Sequence, residues 1–295
     1  MRLLVTGHEG QVARALADLA RQGLVITTLG RPELDIRDRA SLDRAILANH
    51  PDIVVNAAAY TAVDKAETEM AAAFAVNAHG AGQVAAAAAA AGLPIIHLST
   101  DYVFAGDRDA PYREADATGP LNVYGRSKLA GELAVAAINP AHVILRTSWI
   151  HGAHGTNFLK TMLRLAGERD SLRIVADQWG NPTYAADLAV AVLAVADAMA
   201  AAPEAEGWRG LFHVAGTGET NWAGFAAEIF RQSAARGGPS VGVEPIATAD
   251  YPAAARRPAN SRLDTRHFGA TFGHVMPDWR SGVARCLDAL VKAAP

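Results

Sequence analysis

A chain of 295 residues, 51% of them hydrophobic, is long enough to bury a large α/β core with a smaller companion region. A formal net charge of −3 with no basic block excludes the electrostatic footprint of a nucleic-acid or anionic-membrane binder. A single cysteine, Cys286, excludes an internal disulfide and a cysteine metal cluster, and fits a reducing compartment.

The N-terminal MRLLVTGHEG runs straight into a strand and lacks the pattern of a signal peptide. The longest alanine run, Ala85 to Ala91, is far shorter than a membrane span and suits a tightly packed helix. A cytoplasmic protein is expected.

In chain order, short apolar strands are predicted at 3–6, 24–29, 53–56, 95–99 and 143–147. Helical patterns lie between them at 11–22, 41–49, 71–91 and 127–137. Continuous apolar strands alternating with helices imply a Rossmann-type, doubly wound parallel sheet covered on both faces. After residue 150 the rhythm changes. Helices at 158–168 and 186–201 flank a short strand at 173–175, a linker covers 202–210, and one more strand follows at 211–214. From Asn221 onward the chain mixes helices with Pro-rich loops, of which 251–262 is the most irregular. The expected division is a dinucleotide-binding domain over 1–150 plus roughly 186–216. A smaller mixed α/β substrate-binding region takes 151–185 and 217–295.

The first strand is followed by Gly7-His8-Glu9-Gly10-Gln11-Val12-Ala13, spaced G-x-x-G-x-x-A. Glycines permit a tight turn and close approach to a pyrophosphate, and the following helix start supplies N–H donors. An ordinary strand-to-helix turn is the alternative. The second strand ends at Leu29-Gly30-Arg31 without the acidic residue that would bind the ribose 2′-hydroxyl of NAD. Arg31 either pairs with a 2′-phosphate or is a solvated surface charge. The first reading favours NADPH, with NADH possible. No metal site is expected: His151-Gly152-Ala153-His154 lacks a further ligand set nearby.

Tyr124 and Lys128 stand four residues apart and so share one helical face. A free tyrosine titrates near about 10, and a neighbouring ammonium is expected to lower that value and ready the phenol for proton transfer. Alone, such a pair is more often a solubility device. The fourth strand, however, ends in Ser99-Thr100-Asp101-Tyr102-Val103-Phe104, which aims the Thr100 hydroxyl into the ligand crevice of such a sheet. The third ends in Asn56-Ala57-Ala58-Ala59-Tyr60, where small side chains leave room for a cofactor.

The glycine loop, NAAA, STDYVF and YGRSK together resemble the extended short-chain dehydrogenases/reductases. The blocks NAAAYTAVDKAE, STDYVFAGD, PLNVYGRSKLAGE, LRTSWIHG, NFLKTML, DQWGNPT and RRPANSRLD are similar, in order, to those of the dTDP-4-dehydrorhamnose reductase family, and span residues 7 to 264 with the loop. The resemblance implies reduction of the 4-keto group of a dTDP-sugar by NADPH or NADH, the last step of dTDP-rhamnose synthesis. It implies Tyr124 as proton donor, Lys128 as its modulator and ribose ligand, and Thr100 as the group that orients the keto oxygen. It implies cofactor contacts from Gly7, Gly10, Gln11, Val12, Asp35, Ile36, Ala58, Ala59 and Tyr60, and substrate contacts from Thr100, Asp101 and Trp149. Trp149 offers a flat face to a deoxysugar or is a core tryptophan. Asn157 binds the diphosphate or caps a helix, and Arg257 clamps the same diphosphate or forms a surface salt bridge. Asp177, Gln178 and Thr183 are expected near the thymine. A homodimer is the family expectation. A related epimerase or keto-sugar reductase, or a non-catalytic NADP-binding regulatory subunit, stays open as an alternative.

Overall fold

The computed structural model describes residues 1–292, so the last three positions of the expected substrate region lie outside the described residues. Six strands form one parallel sheet: β1 (Arg2–Thr6), β2 (Val25–Leu29), β3 (Ile53–Asn56), β4 (Ile95–Thr100), β5 (His142–Thr147) and β6 (Gly210–His213). Their spatial order is β6-β5-β4-β3-β1-β2. This is a Rossmann-type doubly wound sheet. The chain steps from β1 to β2 in one direction and returns past β1 to β3 in the other. The reversal opens a crevice at the C-terminal ends of β1 and β3.

Alternation along the strands fills both faces. Leu3, Val5, Ile53, Val55, Ile96, Leu98, Val143 and Leu145 pack in one core with helices α1 (Gln11–Ala17) and, late in the chain, Ala185–Ala201. Leu4, Val54, Ile95 and Ile144 point the other way, toward α2 (Arg39–Asn49), α3 (Ala81–Ala90) and α4 (Val123–Ile138). Each fully buried aliphatic side chain contributes roughly 1.5–3 kcal/mol. The alanine-rich α3 has short side chains, so it lies close to its neighbours.

Three helices differ from expectation. The first ends at Ala17 rather than Gln22, because Arg21 and Leu24 pair across a turn closed by Gly23 at φ 81°. The predicted 71–91 helix is an α-turn at Met70–Phe74, a π-helical stretch at Ala75–Gly80 and then α3. The predicted 127–137 helix begins four residues earlier, because Asn122 caps it by accepting from the Gly125 N–H at 2.8 Å. Such a cap is worth about 1 kcal/mol. The helix at Ala185–Ala201 is named α5.

Beyond β5 the chain builds a second core. Ser171–Val175 pairs in parallel with Gly242–Ile246, a strand not anticipated from the sequence. Helices Phe158–Ala166, Trp222–Ala234 and Trp279–Lys292 meet through Leu159, Met162, Phe225, Ile229, Val283 and Leu287. Between these segments the chain returns to the first body: α5 packs on α1, and β6 joins the sheet edge. Among the described residues no helix is long and apolar enough to cross a membrane.

Candidate active site

The glycine loop crosses the end of β1. Gly7 sits at φ 97°, and a Cβ there would approach the backbone of Ala58 to 3.0 Å. Only glycine permits both the turn and that closeness. The Gly7 N–H donates to Leu29 O at 2.8 Å, and the Gly10 N–H to Gly7 O at 3.0 Å. Gly10 is the N-cap of α1 and offers no side chain to the helix's first N–H groups. Those donors have no side-chain cap, which leaves them available to an anion. Val12 and Ala13 are buried beneath the loop, so they contribute through backbone and packing. A dinucleotide pyrophosphate fits this cradle: a Cβ would close it, and its helix start lacks a protein cap.

The cofactor side continues along β2 and β3. Arg31 is exposed just beyond β2. The Asp35 carboxyl is held down at about 2, chiefly by the Arg37 guanidinium that bonds both its oxygens. Ile36 is buried and lies under Gly80. Ala58, Ala59 and Tyr60 are half-buried at the end of β3. The Ala58 N–H donates to Thr6 Oγ1 at 3.3 Å, and Thr6 donates to Asn56 Oδ1 at 2.7 Å. The Tyr60 hydroxyl donates to Glu69 at 2.6 Å, which together with burial pushes it up to about 12.

Asn77, unnoticed in the sequence, ties this loop to the helix that bears Tyr124. It lies in the π-helical stretch, and its side chain accepts from the Tyr60 N–H and donates to the Tyr60 carbonyl and to Ser127 Oγ. Ser127 in turn donates to the Tyr124 carbonyl at 2.8 Å. A π-bulge at such a junction is a common mark of functional sites.

Tyr124 lies in the first turn of α4, half-buried, beside Thr100 at the end of β4. Tyr102 packs edge-on against it, with ring centroids 5.8 Å apart. The expected effect of Lys128 on the phenol is corrected here. Burial pushes Tyr124 up to about 12, a bond with Thr100 opposes the rise, and the Asp101 charge adds to it. The Lys128 ammonium instead donates to the Leu98 carbonyl at 2.6 Å. Lys128 is itself buried and pulled down to about 8, with Glu132 holding it up. The phenol therefore keeps its proton at neutral pH, which suits an acid.

Under Lys128 a buried ion pair links α4 to β5. Arg146 donates to both Glu132 oxygens, at 2.9 and 2.7 Å, and Ser99 donates to Glu132 as well. Glu132 is one helical turn past Lys128, a spacing visible in the sequence; its partner is visible only in the fold.

The remaining expected residues are more dispersed. Trp149, at φ 47°, stacks face to face on Trp222 with centroids 3.6 Å apart and is only partly buried. Asn157 caps its helix by accepting from the Lys160 N–H, and donates to Gly152 O and to Gln11 Oε1, both at 2.8 Å. Its amide thus lies against the glycine loop. Arg257 forms a two-pronged ion pair with Asp64. Asp177 and Gln178 both bond Thr248, and Asp177 lines an open cavity of about 430 Å³ with Trp179, Arg108 and Arg262. Thr183 is fully buried, and its hydroxyl accepts from the Gly216 N–H, so it is part of the packing. His151 is buried, while His154 is near the surface and pairs with Asp18.

A doubly wound sheet, a glycine loop at its switch point and a tyrosine–lysine helix beside a strand-end threonine define a dinucleotide-dependent oxidoreductase of the short-chain dehydrogenase/reductase type. The chain belongs to the family whose model is described as the RmlD substrate binding domain, which matches residues 1–292. It is 51% identical to a dTDP-4-dehydrorhamnose reductase of Sinorhizobium fredii, covering 99% of this chain and 98% of that protein. It is 43% identical to the enzyme of that name from Escherichia coli K12, covering 98% of each. A crystal structure of a dTDP-4-dehydrorhamnose reductase from Clostridium acetobutylicum superposes with a TM-score of 0.91 at 36% identity, over 99% of this chain and 100% of that one. The Bacillus anthracis enzyme in complex with NADP superposes at 0.89 and 37% identity, over 98% and 99%.

Proposed function

We propose that this protein reduces the 4-keto group of dTDP-4-dehydro-β-L-rhamnose to dTDP-L-rhamnose, using NADPH and, less tightly, NADH. The observation that carries the reading is the proton-bearing Tyr124 phenol beside Thr100 at the crevice mouth, one helical turn from Lys128. When bound, the dinucleotide supplies the hydride that reduces the sugar's C4.

The chain's own residues do the rest. The loop at Gly7 and Gly10 and the uncapped start of α1 hold the pyrophosphate. Arg31 pairs with the 2′-phosphate. Tyr124 gives its proton to O4 as negative charge develops there, and Thr100 steadies that oxygen with a hydrogen bond. A placed acid contributes about 10²–10⁴-fold. Alignment of ketone and cofactor contributes more, up to roughly 7–11 kcal/mol. Lys128, which donates to the Leu98 carbonyl, would also hold the ribose and so keep the cofactor and the phenol in register. Trp149, backed by Trp222, offers its face to the sugar; Asp101 reaches a sugar hydroxyl. Asn157 and Arg257 are the candidates for the diphosphate, Arg257 after release from Asp64.

Residues 1–150 with roughly 186–216 are read as the dinucleotide-binding body, and 151–185 with 217–295 as the substrate-binding region. Support comes from the separate core shared by Phe158–Ala166, Trp222–Ala234 and Trp279–Lys292. A cytoplasmic homodimer is carried over from the family resemblance; light scattering tests it. The function itself is tested by following NADPH oxidation with the dTDP-4-keto-L-sugar and with other nucleotide keto-sugars. Turnover confined to the dTDP-L-sugar is expected, and cofactor binding without turnover of any keto-sugar overturns the reading.

A further inference from the structure

Asp101 is a strand-end carboxyl whose proton the reduction step above does not use. It is 2% exposed, with one carboxyl oxygen that makes no hydrogen bond of normal geometry. The other oxygen is 3.0 Å from Thr100 Oγ1. The Thr100 oxygen also accepts from the Tyr102 N–H at 3.2 Å and lies against the Tyr124 phenol. A hydroxyl has one proton to donate. While Asp101 is ionised, that proton goes to the carboxylate, and Thr100 has none left for an oxygen held beside Tyr124. When Asp101 is protonated, the carboxyl becomes the donor, and the hydroxyl is free to turn its proton toward the crevice.

Resting on the reading of Thr100 and Tyr124 given above, we propose that Asp101 is a positioning residue for keto-sugar reduction: through its own protonation it sets the direction in which the Thr100 hydroxyl donates. The surroundings of the carboxyl favour such a switch. Burial pushes it up to about 7, while Thr100 and Ser261 oppose the rise. The groups that face it are few. Thr100 and Tyr102 lie on its own segment, Tyr124 comes from α4, and Ser261 comes from the C-terminal loop. Arg257, from the same loop, reaches Tyr102 and is paired with Asp64. The Lys128 ammonium is turned to the Leu98 carbonyl. No cation among the described residues bonds the Asp101 carboxylate directly; hydroxyls and main-chain N–H groups are its partners.

The test is the pH dependence of kcat/KM for the keto-sugar at saturating NADPH, from pH 5.5 to 9.5, in wild type, Asp101→Asn and Thr100→Val. The wild-type profile is expected to fall first through a proton loss near neutrality, ahead of the loss from Lys128 at about 8, approaching about tenfold per pH unit if the ionised form is inactive. Asp101→Asn, whose amide can donate to Thr100 at every pH, is expected to lose that limb. Thr100→Val, slower throughout, is expected to lose it too, because the carboxyl shapes this limb through the hydroxyl. A merely structural Asp101 would lower the whole curve without changing its shape. The same limb in either variant overturns the inference, and so does a wild-type profile that is flat across this range. A wild-type protein that binds NADPH but turns over no keto-sugar overturns the functional reading, and this inference with it.

Discussion

Gly131, on the helix that carries Tyr124 and Lys128, touches the main-chain carbonyl of Asn77 so closely that any Cβ would overlap that oxygen. The contact sets the distance between α4 and the π-helical stretch, and Asn77 then fixes Tyr60 and Ser127. Gly131→Ala is therefore expected to push α4 outward and carry the proton donor with it. Overpacking of this kind costs about 1–3 kcal/mol. Thermal unfolding should show the loss, and kcat should fall more than the cofactor affinity does.

Tyr124→Phe keeps the ring that Tyr102 packs against and removes only the proton. Turnover is expected to drop about 10²–10⁴-fold, with NADPH binding, followed by its fluorescence, nearly unchanged. Turnover close to wild type would remove Tyr124 as the acid.

Arg31 is exposed just beyond β2 and adds a minor share to holding the Asp35 carboxyl down, with no close ion pair among the described residues for a 2′-phosphate to displace. Arg31→Ala should weaken NADPH by about tenfold, or 1.4 kcal/mol, consistent with loss of one charge-assisted contact. NADH should be nearly unaffected. Equal losses for the two cofactors would take away the argument for NADPH preference.

Three buried histidines make the fold acid-sensitive. Burial pulls His151 down to about 4 and His213 to about 3, and holds His97 well below the usual imidazole range. Each binds a proton more readily unfolded than folded. Their contribution is whole above pH about 6.5 and is lost as pH falls through the folded values, at up to about 1.4 kcal/mol per unit for each. Asp101 acts in the opposite sense: its raised folded value contributes stability below pH about 4 that disappears as pH rises through 7. Denaturant midpoints should fall between pH 6.5 and 4.5, and fall further in Asp101→Asn, which lacks the opposing group. Midpoints independent of pH in that window would contradict the assignment of neutral buried imidazoles.

The parts of this molecule that the sequence made legible are those governed by local pattern. The runs that became β1, β3, β4 and β5 are largely apolar and buried on both faces, so their burial needed no partner to be inferred. The glycine loop was readable because turn, closeness and helix start all demand the same residues. What stayed hidden depends on partners distant in the chain. The π-helical stretch at Ala75–Gly80 lies in alanine-rich sequence that gives no sign of a changed hydrogen-bond register. Gly242–Ile246 contains Pro245 and is mostly exposed, so it lacks the signature of a strand. The pairings of Glu132 with Arg146 and of Arg257 with Asp64 follow only once β5 is folded beside α4 and the C-terminal loop beside the helical turn at Val63–Ala66. Lys128 follows the same rule: spacing puts it on the phenol's face of the helix, but its ammonium donates to the Leu98 carbonyl of β4, a partner that only the folded sheet supplies.

The chain leaves the sheet after β5, returns through α5 to lay down β6, and leaves again. No single break in the gene could therefore release an intact half. Exchange of whole segments between relatives would tear an edge strand from its sheet, so any drift toward a different sugar has to proceed in place, by substitutions at the crevice rim, while the nucleotide-holding frame is inherited entire.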